Sequence, residues 1–284
     1  MDLADGVADL HIHTVASDGT STVTERIEQA REHDLDIIAV TDHDCISEDL
    51  TDRWRAADGV TVITGVEVRA DLDGKKVELL GYFVDPDSDA LQSVLSQARE
   101  YRRERNRTLA ARLTELTDHR FDYEQLAESA PGMLGRPHFA QRLVAEGVVD
   151  SLGEAFGEYL GSDGAAYIPM ERVPHQTVID ALHDAGGVVS MAHPGRMDRL
   201  DVPAVVATLA DGGLDAIEVQ YPYGPDPVLT VEEAGALAEE HGLLRSGGSD
   251  CHGPGSGKFR IGDVRIPRAQ VDALADAAGV DMPR

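Results

Sequence analysis

Short apolar segments that carry histidine, aspartate or glutamate, or run straight into them, constrain this chain more than any other feature. Residues 8–11 lead into His11-Ile12-His13, and Ile37-Ile38-Ala39-Val40 leads into Thr41-Asp42-His43-Asp44. Residues 61–68 hold Glu67 in an otherwise apolar run. Residues 188–192 run into His193-Pro194-Gly195-Arg196, and 243–247 into Gly248-Ser249-Asp250-Cys251-His252. Runs of this length and composition predict buried strands. In a barrel of parallel strands the C-terminal strand ends form one face, so five strands are expected to aim donors at a common site.

Helical patterns separate these strands. Residues 24–33 read as a helix with Ser21 or Thr22 as N-cap, and 47–57 as a second. Asp73-Gly74 signals a hairpin turn with 77–82 pairing beyond it. This alternation predicts an α/β fold with a mostly parallel sheet or barrel. The rhythm stops near Asp85-Pro86. Residues 90–118 form one long helical pattern, shorter ones follow at 137–146 and 151–160, and no strand is expected before Gly187. The expected organisation is therefore a first barrel part at 1–85, a helical insertion at 86–169 and a second barrel part at 170–284. In that last part helices at 176–185, 202–210, 231–241 and 269–277 alternate with strands at 188–192, 216–219 and 243–247.

The donor chemistry is specific. Alternate residues of a strand share a face, so His11 and His13 can reach one cation. A carboxylate inside an apolar strand, as at Glu67, is costly unless it is paired or metal-bound. Asp18 follows in Ser17-Asp18-Gly19-Thr20, and Glu78 lies in the hairpin strand. Mixed imidazole and carboxylate ligands suit Mn, Zn or Fe better than Mg or Ca. His11, His13, Asp18, His43, Glu67, Glu78, His193, Asp250 and His252 exceed the needs of one ion and imply two or three. Cations about 3.5–4 Å apart characterise phosphoester hydrolases. Cys45 and Cys251 flank two motifs and read as small packing residues rather than zinc ligands, with a disulfide disfavoured.

Charge decides what the chain binds. Fifty-two acidic residues against 25 lysines and arginines give a net charge of −27, which repels duplex DNA and anionic membranes. The only lysines are Lys75, Lys76 and Lys258, and such an Asp-rich, Lys-poor surface is halophile-like, suited to strong screening. Residues 96–112 are the exception, with six arginines against two glutamates: Arg99, Arg102, Arg103, Arg105, Arg107 and Arg112 form either a phosphate-binding strip or a solvated helix face. Arg136 and His138 lie at a helix start marked by Pro137, where backbone N–H groups favour anions. Arg196 follows His193 closely enough to reach a metal-bound phosphate, and Lys258 and Arg260 occupy a glycine-rich loop after His252. His33, His119, His175, His183 and His241 read as surface residues, and Trp54 as helix packing. Tyr221 and Tyr223 either line a pocket or cover the barrel rim. Two cysteines, an acidic start at Met1–Asp5 and no apolar run of about 18 residues predict a cytoplasmic protein with no membrane span.

These motifs together resemble the polymerase-and-histidinol-phosphatase (PHP) family, over nearly the whole chain. Gly135-Arg136-Pro137-His138-Phe139-Ala140 and Glu154–Gly161 resemble the branch containing nucleoside 3′,5′-bisphosphate phosphatases and 5′→3′ exoribonucleases of short RNA. The resemblance implies a distorted seven-stranded (β/α) barrel with an inserted helical subdomain and a trinuclear site often filled by Mn. It implies that His11, His13, Glu67 and Asp250 hold one ion and Asp18, His43 and His252 a second. Glu67 would bridge to a third, shared with His193 and one further residue. The related family segment carries histidine where Glu78 stands. Asp42 and Asp44 are expected to orient ligand imidazoles, and Arg136, His138 and Arg196 to meet the substrate. The implied activity is a metal-dependent phosphoesterase acting on a nucleoside bisphosphate. The alternatives are exonucleolysis of short 5′-phosphorylated RNA, a histidinol phosphatase, or a non-catalytic metal-binding module.

Overall fold

The computed structural model describes residues 7–130, 132–197, 201–224 and 227–282. The expectation placed on Met1–Asp5 lies outside the described residues.

The elements run β1 (Ala8–Ile12), α1 (Val23–Glu32), β2 (Ile37–Val40), β3 (Trp54–Ala57), β4 (Val60–Leu72), β5 (Lys75–Tyr82) and α2 (Asp89–Leu116). Then come α3 (Tyr123–Ser129), α4 (Arg136–Ala145), α5 (Leu152–Ala155), β6 (Val173–Pro174), α6 (His175–Asp184) and β7 (Val188–Met191). The chain closes with α7 (Val202–Asp211), β8 (Ala216–Gln220), α8 (Val231–Glu240), β9 (Leu244–Gly247) and α9 (Arg268–Ala277). A π-helical turn, Phe156–Leu160, continues α5, and Pro194–Arg196 is a single 3-10 turn.

Two compact units result, one of Met1–Ser96 with Val173–Arg284, the other of Gln97–Arg172. In the first unit seven strands follow one another in the order β1-β2-β4-β5-β7-β8-β9, with β3 and β6 attached to β4. The β1–β2, β2–β4, β7–β8 and β8–β9 ladders are parallel. Strand β5 runs antiparallel to both β4 and β7, which is the distortion of this barrel. Past the last strand, Ile12 forms a single parallel bridge to Cys251, and His13 N–H donates to Cys251 O at 2.9 Å. That bridge spans the gap between the first strand and the last. Ala8, Leu10, Ile37, Ala39, Ile63, Leu80 and Tyr82 build one core with α9, and Ile12, Ile38, Val40 and Val62 build another with α1. Helix α1 starts where the sequence predicts, with Thr22 and Glu25 forming a capping box.

Three elements differ from expectation: α3 has no counterpart in the sequence pattern, β6 is a two-residue strand before Gly187 that pairs with β4, and the third lies after β2. Residues 47–57 are not a helix. Trp54–Ala57 pairs antiparallel with β4, Ala57 opposite Val60, across the two-residue turn Asp58-Gly59. Asp58 and Gly59 take φ of 51° and 85°, the left-handed pair such a hairpin demands. Local helix propensity in Arg55-Ala56-Ala57 lost to that turn, and Trp54, now on a strand, packs against the core that includes α9.

The second unit has its own core of Leu109, Leu113, Phe121, Leu134, Phe139, Leu143 and Leu160. Within it, Arg102 and Arg105 are buried, Arg103 pairs with Glu100 at 2.9 Å and Arg107 with Glu124 at 3.3 Å. Among the described residues, no helix is long and apolar enough to cross a membrane.

Candidate metal centre

The strand ends bring four overlapping donor groups together, each with ligand-competent atoms within 4.8 Å of one another. They are His13, Asp18, His43 and His252; His11, His13 and Asp250; His11, Glu67 and His193; and His43, Glu67 and Glu78. Shared members make them one cluster containing all nine residues predicted from sequence.

Backbone pairing explains the convergence. Strand β4 outruns β2, and its Glu67 bonds the loop beyond β2 at both ends: Glu67 N–H donates to Asp42 O and Asp44 N–H to Glu67 O. This delivers His43, whose Nδ1 lies 2.9 Å from Glu67 Oε2. The other Glu67 oxygen is 2.9 Å from His193 Nε2, and Oε2 is 3.5 Å from the Nε2 atoms of His11 and His13. Glu67 is thus the hub of four imidazoles. His13 Nε2 stands 3.3 Å from Asp250 Oδ1, and His252 Nε2 stands 3.3 Å from Asp18 Oδ1. Because β5 runs antiparallel, Glu78 reaches the same cluster, 3.7 Å from His193 Nε2. His193, Asp250 and Asp44 take φ of 27°, 55° and 52°, so backbone strain collects at the strand ends that carry the donors.

The donor set fits divalent cations. His11 Nε2, both ring nitrogens of His13 and His43 Nδ1 are buried without a hydrogen-bond partner among the described residues. His43 Nδ1 is close to Glu67 yet out of line for a hydrogen bond, as expected of two ligands that converge on a common cation. Burial, with His252 and His43 alongside, pushes the His13 imidazole down to about 3, leaving it neutral as a ligand must be. Burial would raise the Glu67 carboxyl, but His43 and His11 hold it well below the usual carboxylate range.

Asp250 faces two ways. Its Oδ1 meets the imidazoles, while Oδ2 accepts from Tyr221 OH at 2.7 Å, Arg196 at 3.1 Å and Lys258 at 3.2 Å. Tyr221 therefore lines the site, and Tyr223 donates to Glu218 O. Arg136 and His138 lie in the second unit at the start of α4. There Arg136 donates to Leu160 O at 3.1 Å, and His138 Nδ1 accepts Gly135 N–H at 3.0 Å. Cys45 and Cys251 are thiols, not a disulfide, and neither joins a donor group.

Asp42 is used differently from expectation. Among the described residues it bonds no imidazole; it accepts from Thr14 N–H and hydroxyl, at 2.7 and 2.6 Å, and from Ser17 hydroxyl at 2.5 Å. It ties down the loop that presents Asp18. Asp44 accepts Arg69 N–H at 3.3 Å. The carboxylate that holds an imidazole is Glu218, 2.9 Å from His11 Nδ1 and also accepting His193 N–H at 2.6 Å. Asp9 accepts from Ser249 N–H and hydroxyl and from Gly262 N–H, fixing the turn before Asp250. Gly248 is required there, since a Cβ would fall 2.4 Å from His11 Cβ. Glu218 and Asp9 were missed, although each is a carboxylate in an apolar strand, the signal that picks out Glu67. Replacing Glu218 with alanine is expected to weaken divalent-metal binding about 10–100-fold by calorimetric titration, and unchanged affinity would remove this role.

An α/β barrel with this donor cluster at its strand ends defines a metal-dependent hydrolase. The PHP domain family matches residues 9–160. A 3′,5′-nucleoside bisphosphate phosphatase of Chromobacterium violaceum is 33% identical over 259 residues, covering 89% of this chain and 90% of that protein. The 5′-3′ exoribonuclease Rnm of Salmonella typhimurium is 32% identical over 254 residues, covering 87% and 86%. A crystal structure assigned as a metal-dependent phosphoesterase of Bifidobacterium adolescentis superimposes with a TM-score of 0.82 at 30% identity, over 97% of both chains. The chain belongs to the PHP family and is a metal-dependent phosphoesterase on a distorted barrel of that type.

Proposed function

We propose that the protein is a nucleoside 3′,5′-bisphosphate phosphatase, working in the cytoplasm with Mn2+. The observation that carries this reading is the double orientation of Asp250. One oxygen faces the imidazole cluster and the other gathers Arg196, Lys258 and Tyr221. Arg196 and Lys258 are 48% and 35% exposed, so both cations stay open to an anionic substrate in a chain that otherwise repels anions.

His11, His13, Glu67 and Asp250 would hold one ion, and Asp18, His43 and His252 a second. Bound ions supply charge neutralisation at the phosphate and an acidified water as nucleophile. Arg196 and Lys258 bind the phosphate oxygens and stabilise charge that spreads over them as the ester bond breaks. Tyr221 holds Oδ2 of Asp250 so that Oδ1 keeps facing the cluster. Glu218 keeps His11 in one tautomer.

The test is a direct comparison with Mn2+ in high salt, which suits the acidic surface. Adenosine 3′,5′-bisphosphate, a short 5′-phosphorylated RNA and histidinol phosphate are assayed side by side. The bisphosphate is expected to have the highest kcat/KM. Faster turnover of the RNA would favour exonucleolysis, the activity of the Salmonella relative. Bound metal with no hydrolysis of any of the three would leave a non-catalytic module.

A further inference from the structure

We infer that Arg69 takes the place of a third cation, so that this chain works with two metal ions. The inference rests on the metal-dependent reading above and deepens it. Arg69 and Glu78 are direct cross-strand partners in the β4–β5 hairpin. Arg69 Nε donates to Glu78 Oε1 at 2.7 Å, and Lys76 Nζ lies 3.0 Å from Glu78 Oε2. Both oxygens of Glu78 are therefore held by cations. A terminal nitrogen of Arg69 also lies 3.5 Å from His43 Nε2. The guanidinium thus spans two of the three residues in the donor group of His43, Glu67 and Glu78.

The pattern of satisfied and unsatisfied atoms points the same way. The buried ring nitrogens without hydrogen-bond partners belong to His11, His13 and His43. His193 Nε2, the imidazole nearest Glu78, already shares a hydrogen bond with Glu67 at 2.9 Å. His11 and His13, which stand together with Asp250, keep ring nitrogens unpaired among the described residues, whereas both oxygens of Glu78 and His193 Nε2 are engaged. The Arg69 side chain is 19% exposed and Glu78 8%, so little solvent screens the pair. A guanidinium does not lose its proton in a protein, and its planar fork bonds carboxylate in-plane. Arg69 gives this corner a fixed single positive charge that no chelator removes. A divalent ion beside it would face that charge at close range and would have to break the Glu78 pairing.

Metal content tests this without reference to turnover. The protein is loaded with Mn2+, desalted and analysed by elemental mass spectrometry. Two ions per chain are expected for the wild type and for Arg69→Lys, which keeps the charge. The double variant Arg69→Ser with Glu78→His, checked for native circular dichroism, is expected to hold three. Three ions in the wild type would overturn the inference and leave the phosphoesterase reading intact. Two ions in the folded double variant would overturn it as well. A wild type that retains no metal would defeat the metal-dependent reading itself. Should the double variant not fold, the wild-type count alone decides between two and three.

Discussion

Replacing Glu67 with alanine will lower kcat/KM about 10³-fold or more and strip the protein of bound metal. The size follows from what one carboxylate does here. Its two oxygens lie within 3.5 Å of ring nitrogens from His11, His13, His43 and His193. No other residue touches as many of the four donor groups as His11, His13, His43 and Glu67 do, and Glu67 is the only carboxylate among them. Without it, buried imidazoles face one another with less negative charge to gather a cation. Metal assistance is worth several kcal/mol of transition-state stabilisation, and each 1.36 kcal/mol is about tenfold in rate. Glu67→Gln keeps the volume and loses the charge, so it should fall nearly as far. The measurements are steady-state kinetics and metal content of both variants. Wild-type turnover in either one would sink the metal-centre assignment.

The second large effect is on stability. Arg26 is fully buried on α1. Its Nε and one terminal nitrogen donate to His13 O at 3.0 and 2.6 Å, and the other terminal nitrogen reaches Cys251 Sγ at 3.3 Å. It ties the strand end that presents His13 to the segment that presents Asp250 and His252. Arg26→Ala removes charge-assisted hydrogen bonds, strands a buried carbonyl of a donor-bearing loop and leaves a cavity. Together these should cost about 3–5 kcal/mol. The urea midpoint will fall with an unchanged slope. Arg26→Lys should recover part of the loss, because a single ammonium can still reach His13 O. A midpoint unmoved by Arg26→Ala would show that the helix is not what secures His13.

The contrast between Glu67 and its neighbours explains what sequence reasoning could reach. Residues at the ends of apolar strands stood out because a core strand has no other reason to finish in Asp-His-Asp. All nine donors were found that way or through family resemblance. Asp9 and Glu218 obey the same rule but sit inside strands, with no histidine beside Glu218 to flag it and His11 drawing attention from Asp9. Arg69 could not be found from pattern. An arginine near the end of a long strand reads as a solvated residue, and only the antiparallel register sets it opposite Glu78. The hairpin at Asp73-Gly74 was read from its turn, whereas the same Asp-Gly signal at 58–59 was overridden by helix propensity. Strand pairing across a two-residue turn is the stronger of the two cues, because it settles backbone hydrogen bonds that a short exposed helix would leave to water. The orientation of Arg196, Lys258 and Tyr221 on one oxygen of Asp250 is set by tertiary packing and has no sequence signature.

The single bridge between Ile12 and Cys251 gives the metal centre a second consequence. Where neighbouring strands elsewhere are stitched by ladders, the first and last meet through that one pairing. His11 and His13 lie on one lip of this seam and Asp250 and His252 on the other. An ion held by donors from both lips would close the cylinder like a clasp, so the joint with the fewest backbone stitches would also be the one that ligand binding reinforces. Loss of the ion would then loosen the wall at the place where the reaction happens, linking catalytic competence to the mechanical integrity of the barrel.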